Sequence, residues 1–395
     1  MKCIEKLLQG AEVEWHILGD VAEYIRGITY NKSAEIDKGD GWKVLRANNI
    51  ILTSRKLVLD DIKLINKDIR VRDKQHLYKN DILICAGSGS KEHIGKSAYI
   101  DEDIDYVFGG FMGVVRTKRS ILNSRYLFHY LGSSAFYLYL EKTLNSSTIN
   151  NLNSSIMNLF PIPIPPLSVQ EEIVRILDKF TTLEAELEAE LDCRKRQYEY
   201  YRNQLLSFDM LKRGGQKLNN IEMMTLGEMC SVQRGKRLTK RDLNHNGRYP
   251  VFHGGIEPIG YYSSSNREAN SVMVINVGAS AGTVGYSSKE FWSSDGCFCF
   301  SHCEQLNQKY LFYALQSMEN SIKGQVRKAG IPTLDNKVVE KLKIPIPPLA
   351  EQQRIVSILD KFEALTTSIS EGLPKEIELR RKQYEYYRNQ LLSFA

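Results

Sequence analysis

The run Gln197-Tyr198-Glu199-Tyr200-Tyr201-Arg202-Asn203-Gln204-Leu205-Leu206-Ser207-Phe208 returns unchanged as Gln383 to Phe394. An identity of that length does not arise by chance, so any fold of this chain must place the same sequence twice. The match continues upstream. Ile162-Pro163-Ile164-Pro165-Pro166-Leu167 parallels Ile344-Pro345-Ile346-Pro347-Pro348-Leu349, and Ile176-Leu177-Asp178-Lys179-Phe180 parallels Ile358-Leu359-Asp360-Lys361-Phe362. Leu18-Gly19-Asp20 with Arg26-Gly27 has the internal spacing of Leu226-Gly227-Glu228 with Arg234-Gly235. Tyr126-Leu127-Phe128 answers Tyr310-Leu311-Phe312, and Ile149 and Leu152 answer Ile331 and Leu334. The halves run over about 12–208 and 222–395. That period lies far above the roughly 20–50 residues of a solenoid repeat.

The halves diverge unequally. Each is a globular part that differs widely from its counterpart, followed by a helical part that is nearly the same. Near-identical helices imply one kind of partner met twice, and divergent globular parts imply two different ligands. The plain alternative is a duplicated scaffold whose globular parts have drifted.

Composition bounds the class. A chain of 395 residues allows two or three domains, and 42% hydrophobic content supports packed cores rather than disorder. The 53 basic and 47 acidic side chains give a net charge of +6, compatible with nucleic acid but not diagnostic of it. Seven cysteines without framework spacing suit a reduced, intracellular protein. Met1 to Glu14 lacks a signal-like apolar core, and no apolar run approaches the length of about 18 needed to span a bilayer. A soluble, cytoplasmic protein with no membrane contact is expected.

Along the chain, Val21 to Ile28 reads as a strand, and Asp81 to Ala86 as an apolar strand entering the turn Gly87-Ser88-Gly89-Ser90. Tyr126 to Leu140 has aromatic and leucine residues at helical spacing, the pattern of a core helix. Strands and helices alternate without a βαβ rhythm, which predicts α+β parts. The proline-dense Pro161 to Leu167 predicts extended backbone. Ser168 followed by Glu171 is a capping-box pattern, placing a helix start at Ser168. Ile173, Leu177, Phe180, Leu183, Leu187 and Leu191 form an apolar stripe, continued in a shifted phase by Tyr198, Tyr201, Leu205 and Phe208. No proline or glycine interrupts Ser168 to Phe208, so a helix of about 40 residues and roughly 60 Å is expected, which needs a partner helix along its length. Arg213-Gly214-Gly215-Gln216 reads as a linker.

The second half opens with a basic stretch, Arg234, Lys236, Arg237, Lys240, Arg241 and Arg248 against Asp242. Tyr249 to Tyr262 reads as loop-rich, and Val272 to Ile275 as a strand entering Gly278-Ala279-Ser280-Ala281-Gly282. The second helical stripe, Ile355, Leu359, Phe362, Leu365 and Ile369, then Tyr384, Tyr387, Leu391 and Phe394, is interrupted by Gly372-Leu373-Pro374. A bulge or kink is expected there. Two like stripes in one chain can bury each other, and antiparallel pairing lets the first helix carry the chain across to the second globular part.

Motifs for chemistry are missing. Gly89 and Gly95 before Lys96-Ser97 stand one residue too far apart for a phosphate loop, and the corresponding second-half turn, through Gly285-Tyr286, has no lysine. Cys297, Cys299, His302 and Cys303 lack a second ligand pair at finger spacing, and Cys297 to Phe300 reads better as a buried strand. No Asn-Pro-Pro-Tyr, Asp-Pro-Pro-Tyr, Pro-Asp or His-Glu-x-x-His occurs. The pattern is that of a binder, with no catalytic residues and no metal expected.

Glu14-Trp15 leading to Leu18-Gly19-Asp20, with Leu226-Gly227-Glu228 in the second half, opens the two globular parts. The Ile-Pro-Ile-Pro-Pro-Leu connectors follow, then Gln170, or Glu351-Gln352-Gln353, ahead of Ile-Leu-Asp-Lys-Phe. The Gln-Tyr-Glu-Tyr-Tyr-Arg-Asn-Gln-Leu-Leu terminators complete the set. In this order the pieces resemble the specificity subunits of type I restriction-modification systems.

The resemblance implies an α+β chain of two tandem target-recognition domains, at 1–160 and 214–342. Two long helices, within 161–213 and 343–395, would form an antiparallel coiled-coil-like spacer with an internal pseudo-two-fold. It implies that each domain reads one half of a gapped site in double-stranded DNA. The helices would dock modification subunits, two of them, that methylate adenine, together with a restriction subunit where one exists. S-adenosylmethionine and ATP would be bound by those partners, with no cofactor in this chain. The candidate reading residues are Arg46, Asn48, Asn49, Ser88, Lys91, His93 and Lys96 in the first domain. In the second they are Arg234, Lys236, Arg237, His253, Asn276, Ser280 and Tyr286. They are polar arms at expected loops or strand ends, able to reach phosphates and base edges. A solvated surface role is the plain alternative for each. A non-catalytic coiled-coil scaffold without DNA readout is the alternative function.

Overall fold

The proline connectors fold as strands in the computed structural model, which describes residues 3–145, 151–213, 221–239, 241–244, 246–368 and 372–394. Pro161–Ile164 pairs antiparallel with Glu14–Ile17, and Lys343–Ile346 pairs in the same way with Glu222–Thr225. Proline has no N–H for a ladder and drives its predecessor to extended backbone, so an isolated two-stranded pair suits this sequence. Each pair returns the end of a globular part to its beginning. The expected linker residues Gly214 to Gln216, and Ile149, Lys240 and Ile369, lie outside the described residues.

The chain forms two compact units whose limits fall inside helices: residues 1–186 with 377–395, and residues 187–376. The first unit holds the first globular part together with the second terminator, Gln383 to Phe394. The second unit holds the second globular part together with the first terminator, Gln197 to Phe208. Each copy of the terminator therefore belongs to the unit built around the other half of the sequence.

The strands of the first unit are β1 (Glu14–Ile17), β2 (Ala22–Arg26), β3 (Glu35–Ile36), β4 (Gly41–Leu45), β5 (Lys63–Asn66), β6 (Ile82–Cys85), β7 (Ser97–Tyr99), β8 (Val107–Phe108), β9 (Met112–Thr117) and β10 (Pro161–Ile164). One sheet has the order β2-β9-β6-β7 and a second the order β3-β5-β4-β8. Alternation along β6 shows why it must be apolar throughout. Ile82 and Ile84 face a core shared with Tyr126, Phe136 and Phe160, while Leu83 and Cys85 face one shared with Leu45, Ile50 and Phe108. The helix expected over Tyr126 to Leu140 is two helices, Ser124–Tyr130 and Ser134–Asn145, parted at Gly132.

The second unit repeats this build with β11 (Glu222–Thr225), β12 (Val232–Arg234), β13 (Tyr249–Phe252), β14 (Gly260–Tyr262), β15 (Ser271–Ile275), β16 (Val284–Ser287), β17 (Trp292–Ser293), β18 (Cys297–Phe300) and β19 (Lys343–Ile346). Its sheets are β12-β18-β15-β16 and β14-β13-β17. The stretch expected to be loop-rich is a hairpin, with Tyr249 opposite Tyr262. The β18 strand is buried along its length, and burial pushes the Cys297 thiol up to about 12.

The first long helix runs unbroken over Leu167–Leu205, 39 residues. It begins one residue ahead of the Ser168 start, because the N–H groups of Val169 and Gln170 already donate to Pro166 O. The second is broken rather than kinked, into Leu349–Thr367 and Leu373–Leu391, with Gly372 at φ 105°. A left-handed backbone there suits glycine alone among the residues of this stretch. Within the first unit the helices pair antiparallel: Phe180 stacks on Tyr387 with ring centroids 5.2 Å apart, and Glu184 meets Arg381. Within the second unit Phe362 stacks on Tyr201 at 5.7 Å, the same pair with the copies exchanged.

A glutamine fixes each helix start to its globular part. Gln170 accepts from the Asn123 N–H at 2.8 Å and donates to Ile121 O and Pro165 O. Gln352 accepts from the Asn307 N–H at 2.8 Å and donates to Gln305 O and Pro347 O. Both side chains are buried.

Candidate nucleic-acid interface

In the first unit β2, β4, β6 and β8 finish, and β7 and β9 begin, at one end of the two sheets, as the register pairs Arg26↔Gly113, Cys85↔Met112, Ile84↔Ser97 and Leu45↔Phe108 require. The second unit gathers the ends of β12, β13, β15 and β17 and the starts of β16 and β18 in the same way, through Arg234↔Phe298, Ile275↔Cys297 and Phe252↔Ser293. The repeated Arg-Gly pair builds this end. The N–H of Gly27 donates to Met112 O at 3.1 Å and that of Gly235 to Cys297 O at 3.1 Å. A Cβ at Gly27 would fall onto the carbonyl oxygens of Phe108 and Gly109, and one at Gly235 onto those of Ser293 and Ser294. Only glycine permits that approach. The arginine beside it is architectural in the first unit: Arg26 donates to Asn151 Oδ1, Leu152 O and Gly110 O at 2.9–3.0 Å.

The first-unit candidates fall into two connected loops. Arg46 follows β4 and pairs with Asp61 Oδ2 at 2.9 Å, and the exposed Asn48 donates to the same oxygen at 2.6 Å. Asn49 is buried, accepting from the Arg46 N–H and donating to Val58 O and Asp61 O, so its amide is used up in holding the loop. Ser88 Oγ accepts from the Ser90 N–H at 3.3 Å. His93 is half-buried, with Nδ1 lacking a hydrogen bond. Lys91 opens the same short turn, and its side chain is outside the description. Lys96 is buried and donates from Nζ to Ile50 O at 3.1 Å, which ties the Ser88–Lys96 loop to the Arg46–Ile50 turn. Burial pushes the Lys96 ammonium below its ordinary pKa.

In the second unit three candidates meet at Asp295. Arg234 Nε and Asn276 Nδ2 donate to the Asp295 carbonyl at 2.9 and 3.2 Å, and His253 Nδ1 lies 3.4 Å from its carboxylate. Lys236 and Arg237 are exposed beside them, the Lys236 carbonyl accepting from Trp292 Nε1 at 2.7 Å. Ser280 caps the turn between β15 and β16, its carbonyl accepting from the Thr283 N–H. Tyr286 is not brought to this group. Its ring packs on Phe312 at 5.5 Å with the Lys309 ammonium 4.6 Å from its centroid, as Tyr99 packs on Phe128 under Arg125.

Register makes Arg46 and His253 equivalent, since each follows the residue paired with the end of β8 or β17. One frame thus carries a guanidinium in one unit and an imidazole in the other. Asp295 and Phe111 carry no local sequence signal as site residues, whereas Arg26 does, through the Arg-Gly spacing shared by the two halves. Exposed cations among amide and hydroxyl groups at a strand-end surface can contact phosphates and base edges.

The profile of the "Type I restriction modification DNA specificity domain" matches residues 12–192 and 219–379. The chain belongs to the type I restriction-modification DNA specificity family. The specificity subunit of the Escherichia coli EcoR124I/EcoR124II restriction enzyme is 32% identical, with 100% of this chain and 97% of that protein aligned. A putative type I specificity subunit of Haemophilus influenzae is 31% identical over 99% of this chain and 98% of its own length. In fold, the type I S subunit of M. genitalium superposes with a TM-score of 0.57 at 17% identity, covering 98% of this chain and 97% of that one. A chain from a study of type I R-M complex assembly superposes at 0.61 with 18% identity, covering 96% and 97%. Each matched segment of this specificity-family chain contains one of its two Arg-Gly frames. No helix among the described residues is long and apolar enough to cross a membrane.

Proposed function

We propose that each globular part reads one half of a gapped site in double-stranded DNA through its strand-end loops. The paired helices dock two modification subunits, which methylate adenine, and a restriction subunit where one exists. The chain itself is a non-catalytic specificity subunit working in the cytoplasm. It binds no cofactor, and S-adenosylmethionine and ATP are held by its partners. The observation that carries this reading is one frame presenting different polar arms in the two units, Arg46 in the first and His253 in the second. Lysine and arginine contacts to phosphate set register and are blind to sequence, whereas the differing arms discriminate bases.

The test is base modification along the host genome, read by long-read sequencing with and without this chain. Loss of one gapped, adenine-methylated motif on deletion supports the reading. An unchanged methylation pattern, with the modification partner expressed and active, overturns it in favour of a scaffold.

A further inference from the structure

Phe111 is the most exposed large hydrophobic residue among the described ones, at 71%. Apolar cores lie within its own domain, yet its ring stands in water. The backbone that carries it is not free to turn. The carbonyl of Phe111 accepts from the N–H groups of Ala86 and Gly87 at 2.8 and 3.1 Å. Arg26 holds the preceding carbonyl, Gly110 O, at 3.0 Å, and the Gly27 N–H holds the following one, Met112 O, at 3.1 Å. A side chain at Gly87 would come within 3.0 Å of Phe111 Cδ1, so the ring lies over bare backbone there. The backbone beside it is flanked by Thr29 at Gly110, by Val44 and the Arg46 stem at Gly109, and by Asn151 at Gly87. A fixed, exposed apolar ring stands on the same strand-end surface as Arg46 and the exposed Asn48. It matches DNA, whose backbone is anionic and whose base faces and thymine methyl groups are apolar.

The second unit differs at this point. Register places Gly296 where Phe111 stands, and a Cβ there would meet His253 Nδ1 and the Gly254 nitrogen. The imidazole of His253 lies where a side chain at that position would begin, so the second unit carries no ring there.

We infer that Phe111 is a base-contacting residue of the first domain, its ring entering the groove of the first half-site and packing against the bases. This deepens the proposed function and rests on it.

The test uses the full chain assembled with its modification subunits, in wild-type, Phe111→Ala and Phe111→Leu forms. DNA duplexes carry the methylated motif with substitutions in one half-site at a time. The expected result is a loss of about tenfold or more in discrimination at the first half-site for Phe111→Ala. Phe111→Leu is intermediate, discrimination at the second half-site is unchanged, and all three forms assemble and unfold alike. Unchanged first half-site discrimination in Phe111→Ala overturns the inference. So does a loss of binding to the modification subunits by Phe111→Ala, which would make the ring a protein contact. A wild-type complex with no sequence preference at all sinks the recognition reading, and this inference with it.

Discussion

His129 Nε2 lies 2.8 Å from a carboxylate oxygen of Asp178, and Nδ1 of the same ring lies 2.9 Å from the Tyr384 hydroxyl. A buried imidazole therefore joins a helix of the first globular part, the first long helix and the terminator of the second half. In the second unit Tyr313 takes the place of His129 and donates to Asp360 and Glu363. There the terminator's Tyr198 donates instead to Gln316 Oε1 at 2.8 Å. Identical terminators thus meet different chemistry in the two units.

The His129 contact gives stability a pH dependence. Burial pushes the imidazole pKa down from 6.5 to about 4, outweighing the opposite pull of Asp178. The ring is neutral at pH 7, donating from Nε2 and accepting at Nδ1. As pH falls below 6.5 the unfolded chain takes up a proton that the folded chain refuses until about 4. The His129 contribution to stability therefore drops through that window, by about 3 kcal/mol in all. Urea midpoints measured from pH 7 to pH 4 should show the slope, and His129→Gln should remove that part of it. Equal slopes in the two proteins would refute the assignment.

The glutamine clamps make a second, local prediction. Gln170→Ala leaves the Asn123 N–H and the carbonyls of Ile121 and Pro165 without their partner in a buried setting. The cost is about 3 kcal/mol. Gln352→Ala should cost the same in the second unit, with no effect on the first. Hydrogen exchange read unit by unit checks both, and protection lost equally in both units by either substitution would contradict it.

The Arg-Gly frames separate architecture from readout. Gly27→Ala drives a methyl group onto two carbonyl oxygens, and Gly235→Ala does so in the second unit. Each should destabilise its unit by about 3 kcal/mol or more, whether or not DNA is present. Thermal unfolding of the free chain is the measurement, and a substituted protein with an unshifted midpoint would sink the frame argument.

These elements also show what the sequence made legible. The duplication, the α+β parts, the strand from Val272, the extended connectors and the unbroken first helix follow from local signals: repeats, proline spacing and apolar periodicity. The exchange of terminators between units leaves no local mark, because the two copies are identical and nothing in Gln197 to Phe208 says which core receives it. The hairpin from Tyr249 was hidden because its loop, with Gly254 and Gly255, and its Tyr and Pro residues mask a short alternation. Among candidate side chains, the pattern indicated polar arms near strand ends. It does not separate Asn49, Lys96 and Asn276, buried and spent on loop bonds, from Lys236 and Arg237, which are exposed on the surface. Asp295 gave no signal, since a lone carboxylate becomes a hub only when three strands end beside it.

Phosphate contacts and base contacts should respond differently to substitution. Lys236 and Arg237 are exposed cations without a carboxylate partner among the described residues. Replacing either with alanine should weaken binding to all DNA sequences alike, lowering the slope of log affinity against log salt by about 1 each. His253→Ala should instead relax preference at the second half-site by about 1–3 kcal/mol and leave the salt slope nearly unchanged. Arg46→Ala should relax the first half-site, with some loss of slope because its guanidinium is shared with Asp61. Binding of the assembled complex to duplexes mutated in one half-site, titrated over salt, separates these outcomes. A uniform loss across all sequences for His253→Ala would assign it to phosphate and leave base readout in the second domain to the half-buried Ser280.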